Sequence, residues 1–258
     1  MRLDAYLQRI GYDGPVNADL ETLRGMHRAH WQTVPFENLD IQRGVPIMVD
    51  PERNYRKIVE AGRGGFCLEL TGLFAWALRE IGFRVDMLGG RVLGPDGSPG
   101  EPRSHMALLV HLEEPWLADV GFASLISRPL RLHETGPQDD GTRRYLVADE
   151  GEHWSVTCTG DNFAGAFAEA EEPNADMTYR VTLEPLDYGD FETVCHWLQT
   201  SPDSHFTYGD VVTLSSEEGR TTYGGGRLIE SGPHGRRETE VAPDELERLL
   251  SDRFGLRV

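Results

Sequence analysis

Arg63-Gly64-Gly65-Phe66-Cys67-Leu68-Glu69 is the stretch that decides how the rest of the chain is read. Two glycines lead to a cysteine, and an apolar run continues behind it to Ile81, where Gly82 supplies a stop. That pattern predicts a buried helix over residues 67–81 with Cys67 in its first turn. The position has chemical consequences. Unpaired N–H groups and the partial positive charge of a helix N-terminus favour thiolate over thiol. The same amides stabilise an oxyanion on a carbonyl attacked there. A cysteine in such a place is still, taken alone, more often a packed core residue than a nucleophile, so the reading needs partners.

Upstream of this stretch the chain reads helical. Leu20, Leu23, Met26, His27 and Trp31 share one stripe over Asp19–Trp31, and Asp50-Pro51-Glu52 is a helix start that Gly62 would end. From Arg84 the period changes to that of strands, predicted at Arg84–Val92, His105–Leu112 and Trp116–Phe122, the last two joined through Glu113-Glu114-Pro115. Gly94–Gly100 is a loop by composition. Further strands are expected at Ser155–Thr159, which would bury Cys158, and at Arg180–Leu186, Val211–Leu214 and Thr221–Ile229. Pro243–Phe254 sets Leu246, Leu249, Leu250 and Phe254 on one helical face. Phe163–Ala175, rich in Ala and Glu, fits a short helix or an exposed loop.

The hairpin supplies the partners. His105 opens one strand and Asp119 lies near the end of the next, and pairing through residues 113–115 brings them to similar heights in the sheet. A carboxylate among Trp116, Leu117, Ala118 and Val120 is costly to bury unless something pairs with it. A histidine N–H is the natural partner. Each residue alone is read more simply, as a satisfied strand histidine and a strand-end acid. Together with Cys67 they fit a nucleophile, a base and an orienting acid.

Composition narrows the function classes. With 258 residues the chain buries a core without help from disulfides, and three cysteines fit a reducing compartment, hence a cytoplasmic location. Leu73–Leu78 is far shorter than a membrane span, and the start Met1-Arg2-Leu3-Asp4 does not read as a signal peptide. The net charge of −18, with 14 acidic residues against 3 arginines between 134 and 190, disfavours nucleic acid. Lys57 is the single lysine beside 24 arginines, so an anionic ligand would meet Arg or backbone amides. Cys195-His196 followed by His205 lacks zinc-ligand spacing, so no metal is expected, and Gly224-Gly225-Gly226 lacks the Lys-Ser/Thr of a phosphate loop and reads as a turn or strand kink. The oligomeric state is not set by any of these features.

Five short motifs keep a specific order across roughly residues 30–230: Val34-Pro35-Phe36-Glu37-Asn38-Leu39, Arg63–Glu69, Ser104-His105, Asp119-Val120-Gly121-Phe122 and Ser201-Pro202-Asp203-Ser204-His205-Phe206. In this the chain resembles the arylamine N-acetyltransferases. The resemblance implies an α+β fold around a cysteine-protease-like Cys67-His105-Asp119 core. It implies an N-terminal helical bundle (1–83), a central β-barrel (84–190) and a C-terminal α/β lid (191–258). The implied reaction is ping-pong transfer of an acetyl or other short acyl group from acyl-CoA, through a thioester on Cys67, to an aromatic amine or hydrazine. Acetyl-CoA is then a cosubstrate, and no cofactor is held tightly. Phe36, Val92 and Phe122 match positions that line the acyl and amine pocket, and Ser104 and Phe206 match positions near the coenzyme. Arg63 and Glu37 would brace the site as an ion pair. The chain departs from the family pattern at Leu70 and Thr71, and at Ala123, where glycine is usual. Two enzymatic alternatives share the triad: an amide synthase using a carrier-bound thioester, and a thiol hydrolase. A non-catalytic coenzyme-binding protein of the same fold is a third reading, which the intact triad speaks against.

Overall fold

In the computed structural model, which describes residues 1–123, 125–140, 143–159, 176–233 and 235–257, the first third is helical. Helices α1 (Leu3–Ile10), α2 (Leu20–Thr33), α3 (Leu39–Gln42), α4 (Pro51–Tyr55) and α5 (Cys67–Ile81) are interrupted by a two-residue strand β1 (Phe36–Glu37). Asp19 caps α2 by accepting from Thr22 N, and Asp50, the helix start read from the sequence, caps α4 by accepting from Arg53 N. One turn of π-helix, Arg56–Glu60, continues α4 and carries Lys57. α5 begins and ends at the residues read from sequence, with Gly82 in the left-handed conformation that closes it. Leu68, Leu70, Leu73, Phe74, Ala75, Ala77 and Leu78 are fully buried, which makes α5 the central helix of its core.

Strands β2 (Arg84–Val92), β3 (His105–His111), β4 (Pro115–Ala118), β5 (Leu130–Arg131), β6 (Gln138–Asp139), β7 (Arg144–Asp149), β8 (Trp154–Thr159) and β9 (Met177–Leu186) form one antiparallel sheet. Its order, β5-β4-β3-β2-β9-β8-β7-β6, curls into a nearly closed barrel. The two ends meet through one side chain: Arg131 N donates to Gln138 Oε1 at 2.8 Å and Gln138 Nε2 donates to Arg131 O at 2.9 Å. The barrel interior is filled by Leu88, Leu109, Leu117, Tyr145, Val156, Cys158 and Tyr179. The segment Phe163–Ala175 lies outside the described residues.

After α6 (Glu192–Thr200) come β10 (Val211–Ser216), β11 (Gly219–Gly224), β12 (Arg227–Gly232), β13 (Gly235–Glu240) and α7 (Leu246–Phe254). These strands make a second antiparallel sheet whose edge is β1, through Phe36↔Thr213 and Glu37↔Val212. Leu250 and Phe254 of α7 pack on Val212, Tyr223 and Leu228, while Val194, Cys195 and Leu198 of α6 join the core around α5. The fold class is α+β. Among the described residues no helix is long and apolar enough to cross a membrane.

Three expectations need correction. Thr221–Ile229 is not one strand but the meeting of β11 and β12, because Gly225 and Gly226 both take positive φ (57° and 73°) and make a tight hairpin turn. The strand expected at Trp116–Phe122 ends at Ala118, so Asp119 leaves the sheet at its rim. Pro115 belongs to β4, paired with His111, so the hairpin turn falls one residue earlier than expected. Ala123, just beyond, takes φ 46°, a conformation that glycine adopts without strain and alanine does not. Ala123→Gly should therefore raise unfolding stability by about 0.5–1 kcal/mol, read from the midpoint of urea unfolding.

Candidate active site

Backbone contact places Cys67. Gly65 bridges Phe36, with Glu37 N donating to Gly65 O at 2.9 Å and Gly65 N to Pro35 O at 3.3 Å. A Cβ on Gly64 would fall 2.1 Å from Pro35 O, so two motifs far apart in sequence touch only because residue 64 has no side chain. Cys67 follows as the first residue of α5, 4% exposed, and its Sγ donates to Ser104 O at 3.5 Å. Ser104 immediately precedes His105.

His105 and Asp119 meet. The β3–β4 register pairs Leu108 with Ala118. One further step sets Ala107 against Asp119 and leaves His105 diagonally across from it. His105 Nε2 lies 2.6 Å from Asp119 Oδ2, with both side chains buried. Asp119 Oδ1 accepts from Gly121 N at 3.0 Å, and Asp119 N donates to His27 Nε2 at 3.2 Å. The same loop packs against the start of α5, since a Cβ on Gly121 would lie 2.5 Å from Thr71 Oγ1 and 2.8 Å from Cys67 O. Gly121→Ala should therefore displace the Asp119 loop and cost about 1–3 kcal/mol, measurable by urea unfolding together with loss of activity.

The thiol is not acidified by its helix alone. Burial first, and then the charge of Asp119, push the Cys67 pKa well above its ordinary value, against the pull of the Leu68 N–H. Burial thus opposes the effect of the helix N-terminus, and ionisation of Cys67 calls for a group that takes the proton. With Nε2 occupied by Asp119, Nδ1 is the nitrogen of His105 left for that role.

The expected Arg63–Glu37 pair is present and belongs to something larger. Arg63 Nη2 reaches Glu37 Oε1 at 2.8 Å and Asp40 Oδ1 at 2.9 Å. Lys57 Nζ reaches Asp40 Oδ2 and both Glu69 oxygens at 2.9 Å. Glu69 Oε2 also accepts from Phe66 N at 3.1 Å, which ties the network to the residue before Cys67. Three carboxyls share two cations. Burial raises the Glu69 pKa to about 7 despite Lys57.

The remaining site residues divide into two groups. Phe122 lies 5.2 Å and Tyr179 4.8 Å from His105, ring centre to ring centre, and Val92 pairs with Tyr179 across β2–β9. Phe36, Phe66 and Phe206 cluster on the other side, at 6.1 Å for Phe36–Phe206 and 5.7 Å for Phe66–Phe206. Cys195 turns inward, donating to Ile47 O at 3.6 Å, whereas His196 is exposed. The sequence reading did not single out Lys57, Asp40 or Tyr179 for the site, and it took His27 for part of an apolar stripe. A histidine and an acid on otherwise apolar faces were the available signals.

His27 gives a pH dependence with a definite sign. Burial lowers its pKa to about 4, so between pH 4 and 6.5 the unfolded chain binds the proton and the folded one does not. Stability from this residue is present above pH 6.5 and is lost as pH falls through that window, by about 3 kcal/mol. Glu69, held protonated up to about pH 7, acts in the opposite direction, so the comparison must isolate one residue. The urea midpoint of His27→Gln should fall less between pH 6.5 and 4.5 than that of the parent. An equal fall would show that the ring is not held neutral.

The barrel, the shared sheet and a cysteine at the head of a buried helix, bonded to the residue before the His105–Asp119 pair, are the features to set against known proteins. The sequence profile of the N-acetyltransferase family matches residues 19–258. The chain is 41% identical to the Salmonella typhimurium arylamine N-acetyltransferase / N-hydroxyarylamine O-acetyltransferase and 32% identical to the Escherichia coli arylamine N-acetyltransferase. Each match spans 99% of this chain and 89% of the relative. The Mycobacterium marinum arylamine N-acetyltransferase in complex with CoA superposes with a TM-score of 0.86 at 29% identity, over 99% of this chain and 93% of that one. The chain belongs to the arylamine N-acetyltransferase family of acyltransferase enzymes.

Proposed function

We propose that the protein transfers an acetyl group from acetyl-CoA to an aromatic amine or hydrazine by a ping-pong mechanism through a thioester on Cys67. The observation that supports this reading is that Cys67 Sγ, in the first turn of α5, donates to the carbonyl of Ser104, the residue before His105, whose ring is paired with Asp119. His105 Nδ1 takes the thiol proton as Cys67 Sγ attacks the thioester carbonyl of the donor. The amides opening α5 would hold the oxyanion. The C–S bond to coenzyme A breaks as the imidazolium returns its proton to the departing sulfur. The amine nitrogen then attacks the Cys67 thioester, gives its proton to His105, and Cys67 leaves. Asp119 holds the imidazole and offsets its positive charge.

Phe122 and Val92, beside the histidine, and Phe36, beside the cysteine loop, form the acyl and amine pocket in this reading. Ser104 and Phe206 lie toward the coenzyme. The division into a bundle (1–83), a barrel (84–190) and a lid (191–258), and a cytoplasmic location, belong to the same proposal. Among the described residues the cysteines, Cys67, Cys158 and Cys195, are all free, which a reducing compartment favours.

The test is incubation with acetyl-labelled acetyl-CoA. Label is expected on Cys67, stable until an arylamine or arylhydrazine discharges it as the amide. Rapid release of acetate without amine would favour a hydrolase, and no label at all would overturn acetyl-CoA as donor.

A further inference from the structure

We propose that His27 is a positioning residue of the reaction centre: its ring accepts the backbone N–H of Asp119 and so fixes the residue whose carboxylate holds His105. The inference rests on the reading of Cys67, His105 and Asp119 given above.

Its basis is a gap in the sheet. β4 ends at Ala118, so Asp119 N has no strand partner, yet the group is buried. A buried N–H without an acceptor is costly. His27 Nε2 lies 3.2 Å away and supplies the acceptor that the ladder no longer provides. A backbone N–H can only donate, so Nε2 must carry the lone pair and Nδ1 the proton. That proton meets no acceptor at hydrogen-bonding distance among the described residues, so the bond to Asp119 N is the one the ring satisfies. Burial that keeps the ring neutral near pH 7 is what makes an acceptor of it.

The ring is itself held firmly. Phe74 of α5 stands edge-on to His27 and His30, 5.8 Å from each, and His30 Nδ1 lies 2.7 Å from the Tyr6 hydroxyl of α1. Besides the electrostatic contact of its carboxyl with Tyr179 of β9, Asp119 makes three hydrogen bonds: its N–H to α2, Oδ1 with Gly121 N, and Oδ2 with His105. Of these, only the bond from His27 ties the acid to an element outside its own loop and hairpin. Losing it frees the loop to drift relative to α5, and the His105 ring drifts with it.

The variants are His27→Leu, which has no acceptor, and His27→Gln, whose amide oxygen can replace Nε2. With acetyl-CoA and an arylhydrazine, His27→Leu should lower kcat about tenfold or more while KM for the hydrazine changes little. His27→Gln should stay within about threefold of the parent. In an Asp119→Asn background the His27→Leu effect should shrink below about twofold, since residues that act through one another are not additive. A folded His27→Leu with parental kcat, or an equal loss in both backgrounds, overturns the proposal.

Should His27→Leu fail to fold, the side-chain nitrogen shifts of His27 in the unaltered protein decide the matter. Protonated Nδ1 with bare Nε2 is expected, and the reverse tautomer excludes the bond. Parental activity of Asp119→Asn would sink the reading of the reaction centre, and with it the role of His27, while leaving those nitrogen shifts as they are.

Discussion

Cys67→Ala is expected to abolish acetyl transfer, a loss of about 10⁴-fold or more in kcat, because no other group in the centre can carry the acyl chain. The fold should persist. Cys67 opens α5, makes one weak contact to Ser104 O, and leaves a methyl-sized gap whose cost is about 1 kcal/mol. Steady-state acetylation of an arylamine, set beside the urea midpoint, separates the two effects. Residual turnover above about one per cent would mean that the acyl group does not pass through this sulfur. The size of the loss follows from the proposed chemistry: without the thiol, His105 has no sulfur proton to move and no thioester can form.

The second large effect concerns stability. Lys57→Met should destabilise the protein by about 3–5 kcal/mol, the cost of leaving buried carboxylates without their cation. Lys57 Nζ touches Asp40 and both oxygens of Glu69 and lies 3.8 Å from Glu37, so its removal leaves three acids around Arg63 alone. Three such charges push one another toward the neutral form. The penalty should accordingly be larger at pH 8 than at pH 5, where Glu69 already holds a proton. Urea unfolding at the two pH values checks both size and direction, and a pH-independent loss would assign the effect to packing.

What the sequence showed follows from where the physics is local. The limits of α5 were readable because Gly82 and the apolar run are neighbours in the chain. The His105–Asp119 pair was readable because a hairpin converts sequence offset into height, to within the one residue by which the turn was misplaced. The short strands Leu130–Arg131 and Gln138–Asp139 were not, since two residues carry no period. The hairpin within Thr221–Ile229 was hidden by apolar and β-branched residues on both flanks, although its glycines were noticed. Arg63 and Glu37 were paired by resemblance. Lys57 and Asp40 were missed because a single π-turn brings the lysine inward, and no spacing rule anticipates that.

Strand β1 is only two residues long, yet it hydrogen-bonds to two bodies at once: Phe36 and Glu37 lie against β10 on one side and against Gly65 on the other. The C-terminal sheet and the peptide leading to the nucleophile are thereby riveted together, and a swing of that sheet would drag the reactive sulfur with it. In the proposed cycle, that tie would hold Cys67 in one position relative to the sheet during both loading and discharge.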